Sequence, residues 1–305
     1  MTMAPVVPLA EVRRFLHSNY NCRDLEGLEH WYSELFALKP VMRSVSTDTD
    51  AVAFGVHALM HNDTIFLYDH RGARRATSLE LVGWIDPPVV GVPYQAAWEH
   101  GIQAVGYTVP DLDEVVRKAE TTGGRLVRRV EGAALLKDPE DVWVELYGTG
   151  AGEPEAHHMR VVVKDLSETM DWYANLGFTV SNDAIMVAGA ELWEADGEHT
   201  LSAETAMVGT DDPTYSLIFT TWSGPPPVGP SYGVHFHEGV YRFAVAVDDV
   251  HEAYERLRAG GVATYPPYTF QLPGTPISDG LTILFIRDPN GILVELVHRP
   301  RSIFR

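Results

Sequence analysis

The chain has 305 residues, 45% hydrophobic and 21% charged, an ordinary composition for a folded protein with room for two substantial cores. Acidic residues outnumber basic ones by 42 to 23, a net charge of −19, and no basic run exceeds two residues, which argues against a nucleic-acid partner. One cysteine (Cys22), no basic leader before Glu11 and no apolar run of membrane length predict a cytoplasmic protein with no membrane partner, a monomer or homodimer.

In chain order, a strand from Val12 leads into a helical pattern from Asp24 to Leu38, with Leu25, Leu28, Trp31, Tyr32 and Leu35 on one face. Strand-like runs follow at Val52–Val56, Thr64–Tyr68 and Ser78–Val82, and a Pro/Gly-rich connector runs from Pro87 to Pro93. A second unit opens with a strand at Ala104–Val109 and a helix from Asp111 to Thr122, closed by Gly123-Gly124. A turn at Lys137–Asp141 then leads into the strand Val142–Leu146. The third unit (His158 to Trp222) and the fourth (Val240 to Val297) repeat this order, and a helix from Asp249 to Leu257 ends at Gly260-Gly261. Near the end, Pro289-Asn290-Gly291 marks a hairpin turn whose second strand carries one acid, Glu295. A carboxylate in an aliphatic strand is costly to bury unless a positive group meets it.

The units are copies. Trp84, Pro87, Gly91, Tyr94 and Gly101 recur 138 residues later as Trp222, Pro225, Gly229, Tyr232 and Gly239. His17, Asp24, Trp31 and Tyr32 recur at an offset of 141 as His158, Asp165, Trp172 and Tyr173. Asp138, Pro139, Glu145 and Leu146 recur at 150 as Asp288, Pro289, Glu295 and Leu296. Such small changes of offset are what loop insertions between repeats produce.

Four strand–helix–strands units, opened by RFLHSNYNCRDLEGLEHWY and closed by RDPNGILVELV, resemble the vicinal oxygen chelate superfamily of glyoxalases, bleomycin-resistance proteins and extradiol dioxygenases. The resemblance covers about Val12 to Val297 and implies an α+β fold of four βαβββ modules paired into two half-barrel domains. In chain order these would be residues 1–150 and 151–305. It also implies metal ligands on the first and last strands of each module. The first-strand position falls on His17, Ala104, His158 and Arg242, and the last-strand acid on Glu80, Glu145 and Glu295; Ser216–Phe219 has none. The N-terminal half therefore offers a metal set of His17, Glu80 and Glu145, with Glu80 and Glu145 also the catalytic candidates. His158 and Glu295 form the second choice. The ion would be Fe, Mn, Ni or Zn, which the residues do not distinguish.

Arg242 cannot ligate a metal. It pairs with Glu295 across the sheet as the remnant of a metal site, or it anchors a substrate carboxylate through its planar fork. His157 is expected on the outer face, and His235 and His237 in a solvated connector. Two functions compete. One is a divalent-metal enzyme acting on a small oxygenated substrate by lyase, isomerase or oxygenase chemistry. The other is a metal-free, small-molecule-sequestering protein of the bleomycin-resistance type, favoured by Ala104, Arg242 and the acid-free third module.

Overall fold

A computed structural model describes residues 8–50, 52, 59–181, 190–194, 203–210, 212–272, 275 and 280–299. The first module comprises β1 (Val12–Cys22), α1 (Leu25–Phe36), β2 (Lys39–Asp50), β3 (Leu59–Tyr68) and β4 (Ser78–Asp86). The second has β5 (Gly101–Val109), α2 (Leu112–Thr121), β6 (Arg125–Val130), β7 (Ala133–Lys137) and β8 (Trp143–Gly148). The third has β9 (Glu155–Val162), α3 (Leu166–Leu176), β10 (Thr179–Ser181), α4 (Ala190–Trp193), β11 (Ala203–Gly209) and β12 (Ser216–Trp222). The fourth has β13 (Gly239–Val247), α5 (Val250–Ala259), β14 (Tyr268–Phe270), β15 (Leu281–Arg287) and β16 (Leu293–His298). The expected strand at Val52–Val56 gives way to β2 earlier in the chain; Val52 lies in no strand, and residues 53–56 fall outside the described residues.

Local chemistry repeats with the modules. Asp24, Asp111, Asp165 and Asp249 each cap the helix that follows, accepting from Gly27 N, Glu114 N, Glu168 N, and His251 N with Glu252 N, respectively. At the last hairpin of modules two and four, Asp138 Oδ1 accepts from the amides of Glu140 and Val142, and Asp288 Oδ1 from those of Asn290 and Ile292. The Asp-Pro turns therefore hold themselves from inside.

The strands form two curled, eight-stranded sheets, in the orders β14-β15-β16-β13-β1-β4-β3-β2 and β10-β11-β12-β9-β5-β8-β7-β6. Within each module the first and last strands run parallel, as β1 beside β4 and β13 beside β16. Modules join through their first strands, β1 antiparallel to β13 and β5 antiparallel to β9. The largest apolar cluster includes Phe15, Trp31, Tyr32, Phe36, Tyr173 and Phe243 and holds helices and sheets together. Among the described residues no helix is long and apolar enough to cross a membrane.

This pairing corrects the division at residue 150. The first sheet combines modules one and four, and the second combines modules two and three. The links differ in length accordingly. Residues 149–154 connect β8 to β9 within one sheet, whereas the longer connectors 87–100 and 223–238 carry the chain from one sheet to the other. The two connectors grip each other where they pass: Tyr94 and Tyr232 stack at 4.1 Å, and Val90 N donates to Phe236 O while Val228 N donates to Trp98 O.

Candidate functional site

Each sheet gathers its polar inward side chains at the seam where two modules meet. In the first cup, His17 lies opposite Ala244, and Asn19 lies between Arg242 and Glu80. Glu295 stands beside Ala244 on the far side. Residues two apart on a strand share a face, so register brings all five side chains together. Arg242 Nε donates to Glu295 Oε2 at 2.8 Å, and its Nη2 donates to Glu80 Oε2 at 3.1 Å. Asn19 Nδ2 donates to the same Glu80 oxygen at 3.0 Å. His17 Nε2 stands 3.3 Å from Glu80 Oε2 and 3.5 Å from Glu295 Oε2, and makes no hydrogen bond of good geometry.

Burial acts to raise the Glu295 carboxyl, but the Arg242 guanidinium and the His17 imidazole together outweigh it, and it settles at about 2. Burial likewise works against the Arg242 charge, and the Glu80 and Glu295 carboxylates more than offset it. Around this cluster lie Met60, Val82, Trp84, Phe285 and Leu293. Phe66 packs edge-on to the His17 ring, and Phe285 lies under the guanidinium.

The second cup is built from the same positions with a different outcome. Glu145 accepts from Arg160 through both carboxylate oxygens, from His158 Nε2 at 3.2 Å, from the Tyr147 hydroxyl and from Trp193 Nε1 at 3.2 Å. Arg160 completes its bonding at Thr220 Oγ1, 2.7 Å away. Burial opposes ionisation of Glu145, yet the Arg160 charge and the His158 hydrogen bond hold its pKa far below the usual range. Gly106 makes room for this arrangement, because a Cβ there would fall 1.9 Å from His158 Cε1. Glu145 and His158 are 0% exposed, against 6% and 7% for Glu80 and His17 in the first cup. Trp193 of the short α4 packs over the second cluster with Trp143 and Trp222. The second cup is closed and saturated, whereas the first retains solvent contact and an unbonded imidazole nitrogen.

The sequence-based sets are regrouped accordingly. His17, Glu80 and Glu145 are not one site, because Glu145 belongs to the other sheet; nor are His158 and Glu295, which the same pairing separates. Arg242 meets Glu295 as an ion pair and Glu80 as a second partner. His157 is half-buried, its Nδ1 3.0 Å from that of His158, rather than on the outer face. His235 is 6% exposed, its ring 5.0 Å from Tyr241 and 5.3 Å from Phe285, and burial drives its pKa well down, so it is no solvated loop histidine. Arg160 and Asn19 were missed. Each lies two residues beyond a first-strand histidine, and that period of two was the available signal.

The ion implied by the family resemblance does not fit these residues. His17, Glu80 and Glu295 supply donors of suitable type, but the two carboxylate oxygens nearest the imidazole already receive the Arg242 guanidinium. A dication about 4 Å from a guanidinium meets roughly 8 kcal/mol of repulsion at an effective dielectric near 20. Among the described residues no group of three or more His, Cys, Asp or Glu is arranged to hold a metal ion.

Comparison with known proteins agrees with the architecture. Residues 155–296 match the family described as the Glyoxalase/Bleomycin resistance protein/Dioxygenase superfamily. No curated protein sequence matches the chain significantly. Among solved structures, a glyoxalase I mutant from Zea mays is similar at 21% identity, covering 93% of each chain with a TM-score of 0.62. Glyoxalase I from Zea mays in another crystal is similar at 19% identity over 93% of this chain and 92% of that one, TM-score 0.60. A provisionally assigned dioxygenase from Bacillus subtilis is similar at 12% identity over 94% of this chain and 86% of that one, TM-score 0.61. At such identities the likeness speaks for the fold alone. Residues 155–296 therefore form a domain of the glyoxalase, bleomycin-resistance and dioxygenase superfamily, and the chain as a whole shares the fold of the glyoxalase I structures.

Proposed function

We propose that this protein binds a small oxygenated organic molecule in the first cup and does so without a resident metal ion. The observation that carries this reading is the Arg242 guanidinium bridging Glu80 and Glu295. It supplies at that place the positive charge that a divalent ion would otherwise supply, and its N–H groups engage the carboxylate oxygens nearest the imidazole. Two buried polar atoms of the cup remain without hydrogen-bond partners, His17 Nε2 and Asn19 Oδ1. An unpaired buried acceptor costs about 1–3 kcal/mol, which a bound hydroxyl would relieve. The apolar side chains around them suit a mostly hydrocarbon body.

Arg242 in this reading fixes both carboxylates in their ionised form, and Asn19 orients Glu80. His17, flanked by two carboxylates, is also placed to pass a proton to or from a bound hydroxyl, which is the form in which metal-free catalysis would arise here. The test is metal analysis of the purified protein after equilibration with zinc, manganese and nickel, followed by thermal-shift measurements with 2-naphthol in the presence of a chelator. Far less than one ion per chain is expected, with a 2-naphthol stabilisation that is lost in His17→Ala. One tightly held ion per chain, released by Glu295→Gln, would overturn the proposal.

A further inference from the structure

A second positive group stands in the first cup, at the end where β1 and β4 begin and β3 and β16 finish. Arg299 follows β16, and its amide donates to Val247 O at 2.9 Å, so the residue prolongs that strand. Side chains alternate along a strand, which puts Arg299 on the face that carries Glu295 and Val297. Arg14 shares this face, since it lies opposite Ala246, whose other neighbour is Val297. Tyr68 comes one residue after Leu67, the partner of Leu79, and so lies opposite Ser78, the partner of His17. Two guanidinium groups therefore approach one phenol. Burial lifts the Tyr68 pKa, while the Ser78 hydroxyl and the Arg299 and Arg14 charges pull it down against the Glu80 charge.

The two arginines are employed differently. Arg14 is 7% exposed, donates to the carbonyls of Phe15, Arg74 and Ala76, and has Asp212 at 3.9 Å. Arg299 is half-buried, and among the described residues its side chain makes no hydrogen bond and no ion pair. Burial pushes its pKa down, and the one ionisable group that offsets this is the Tyr68 phenol, which carries no charge at neutral pH. Acidic side chains outnumber basic ones by 42 to 23 in this chain, yet none comes to this guanidinium. Such a group, drawn partly out of water with its donors unmatched, calls for an anion from outside.

We infer that the first cup takes an organic acid, its hydroxyl at His17 and its carboxylate in the fork of Arg299 beside the Tyr68 hydroxyl. The inference rests on the metal-free binding proposed for that cup. Glu295 and Arg299, four residues apart on one face, are separated by about 13 Å along the strand, a gap that a rigid two-ring body and the arginine side chain span together. The planar guanidinium matches a carboxylate through two parallel bonds. Glu80 and Glu295 already share the Arg242 charge, and the seat for the ligand's carboxylate lies beyond Val297 from Glu295.

The probe is 6-hydroxy-2-naphthoate, titrated calorimetrically into the full-length protein in chelator, with 6-hydroxy-2-naphthamide as the uncharged control and 2-naphthol as the reference for the cup alone. The acid should bind at least about tenfold more tightly than the amide. Arg299→Gln, which has no side-chain bond to lose, should melt with the parent and bring the acid down to the level of the amide. His17→Ala should weaken acid and amide alike. Equal binding of acid and amide, an acid advantage that survives Arg299→Gln, or acid binding undiminished in His17→Ala would overturn the inference while 2-naphthol binding still upheld the cup. Failure of all three compounds to bind would overturn the reading of the cup and this inference with it.

Discussion

Replacing Arg242 with histidine tests the account of the first cup most directly. The substitution removes the donors to Glu80 Oε2 and Glu295 Oε2 and sets an imidazole on β13, facing a cup already lined by His17, Glu80 and Glu295. All four side chains are no more than 9% exposed, so the two carboxylates lose their shared cation in a poorly solvated place. Breaking a buried pair of this kind costs about 3–5 kcal/mol. At about 2–4 °C per kcal/mol for a chain of this size or somewhat smaller, Arg242→His in chelator should melt roughly 6–20 °C below the parent. The same variant now offers two imidazoles and two carboxylates from four strands, a donor set suited to zinc, nickel or cobalt. Free metal at about 1,000 times its Kd returns about 4 kcal/mol, most of what was lost. The assay is the difference in Tm with zinc and with chelator, read for parent and variant together with bound metal per chain. A shift on the order of 10 °C is expected in Arg242→His and none in the parent. Equal shifts in both, or none in the variant, would refute the reasoning that the guanidinium occupies a ligand position.

Two other outcomes follow from the same physics. Arg160→Met strands Glu145 in the closed second cup without its counter-charge and should cost about 3–5 kcal/mol in chemical denaturation; a loss below about 1 kcal/mol would show that Tyr147, His158 and Trp193 suffice to hold the carboxylate. Burial lifts the Asp288 carboxyl from its ordinary 3.8 to about 6, against the hydrogen bonds of Ile292, Asn290 and Tyr173. Because the folded value lies above the unfolded one, the folded state takes up the proton more readily. Stability should therefore rise as pH falls through 6, the effect being complete below 3.8. Relative to Asp288→Asn, the parent should gain up to about 3 kcal/mol between pH 7 and pH 4, measured as denaturation midpoints against pH. A flat difference would sink this assignment. Glu295, held at about 2, contributes the opposite slope, but only below its ordinary 4.5, so the upper part of the window is free of it.

The sequence by itself determined the modules. Helix starts at Asp24, Asp111, Asp165 and Asp249 and the Asp-Pro turns at 138 and 288 are set by contacts within a few residues, and a local cause is legible in a local pattern. The repeat also placed the inward positions, His17, Glu80, Glu145, His158, Arg242 and Glu295, correctly on first and last strands. Only the tertiary structure decided which of them meet. Sequence neighbours were expected to share a cup, but β1 pairs with β13 and β5 with β9, and the connectors that carry the chain between the sheets are held together by the packing of Tyr94 on Tyr232. That pairing moved Glu145 away from His17 and brought Arg242 to Glu80, 162 residues distant. Hydrogen bonding along a strand fixes which face a side chain takes, whereas the partner across the seam depends on how whole sheets assemble, and no local pattern encodes it.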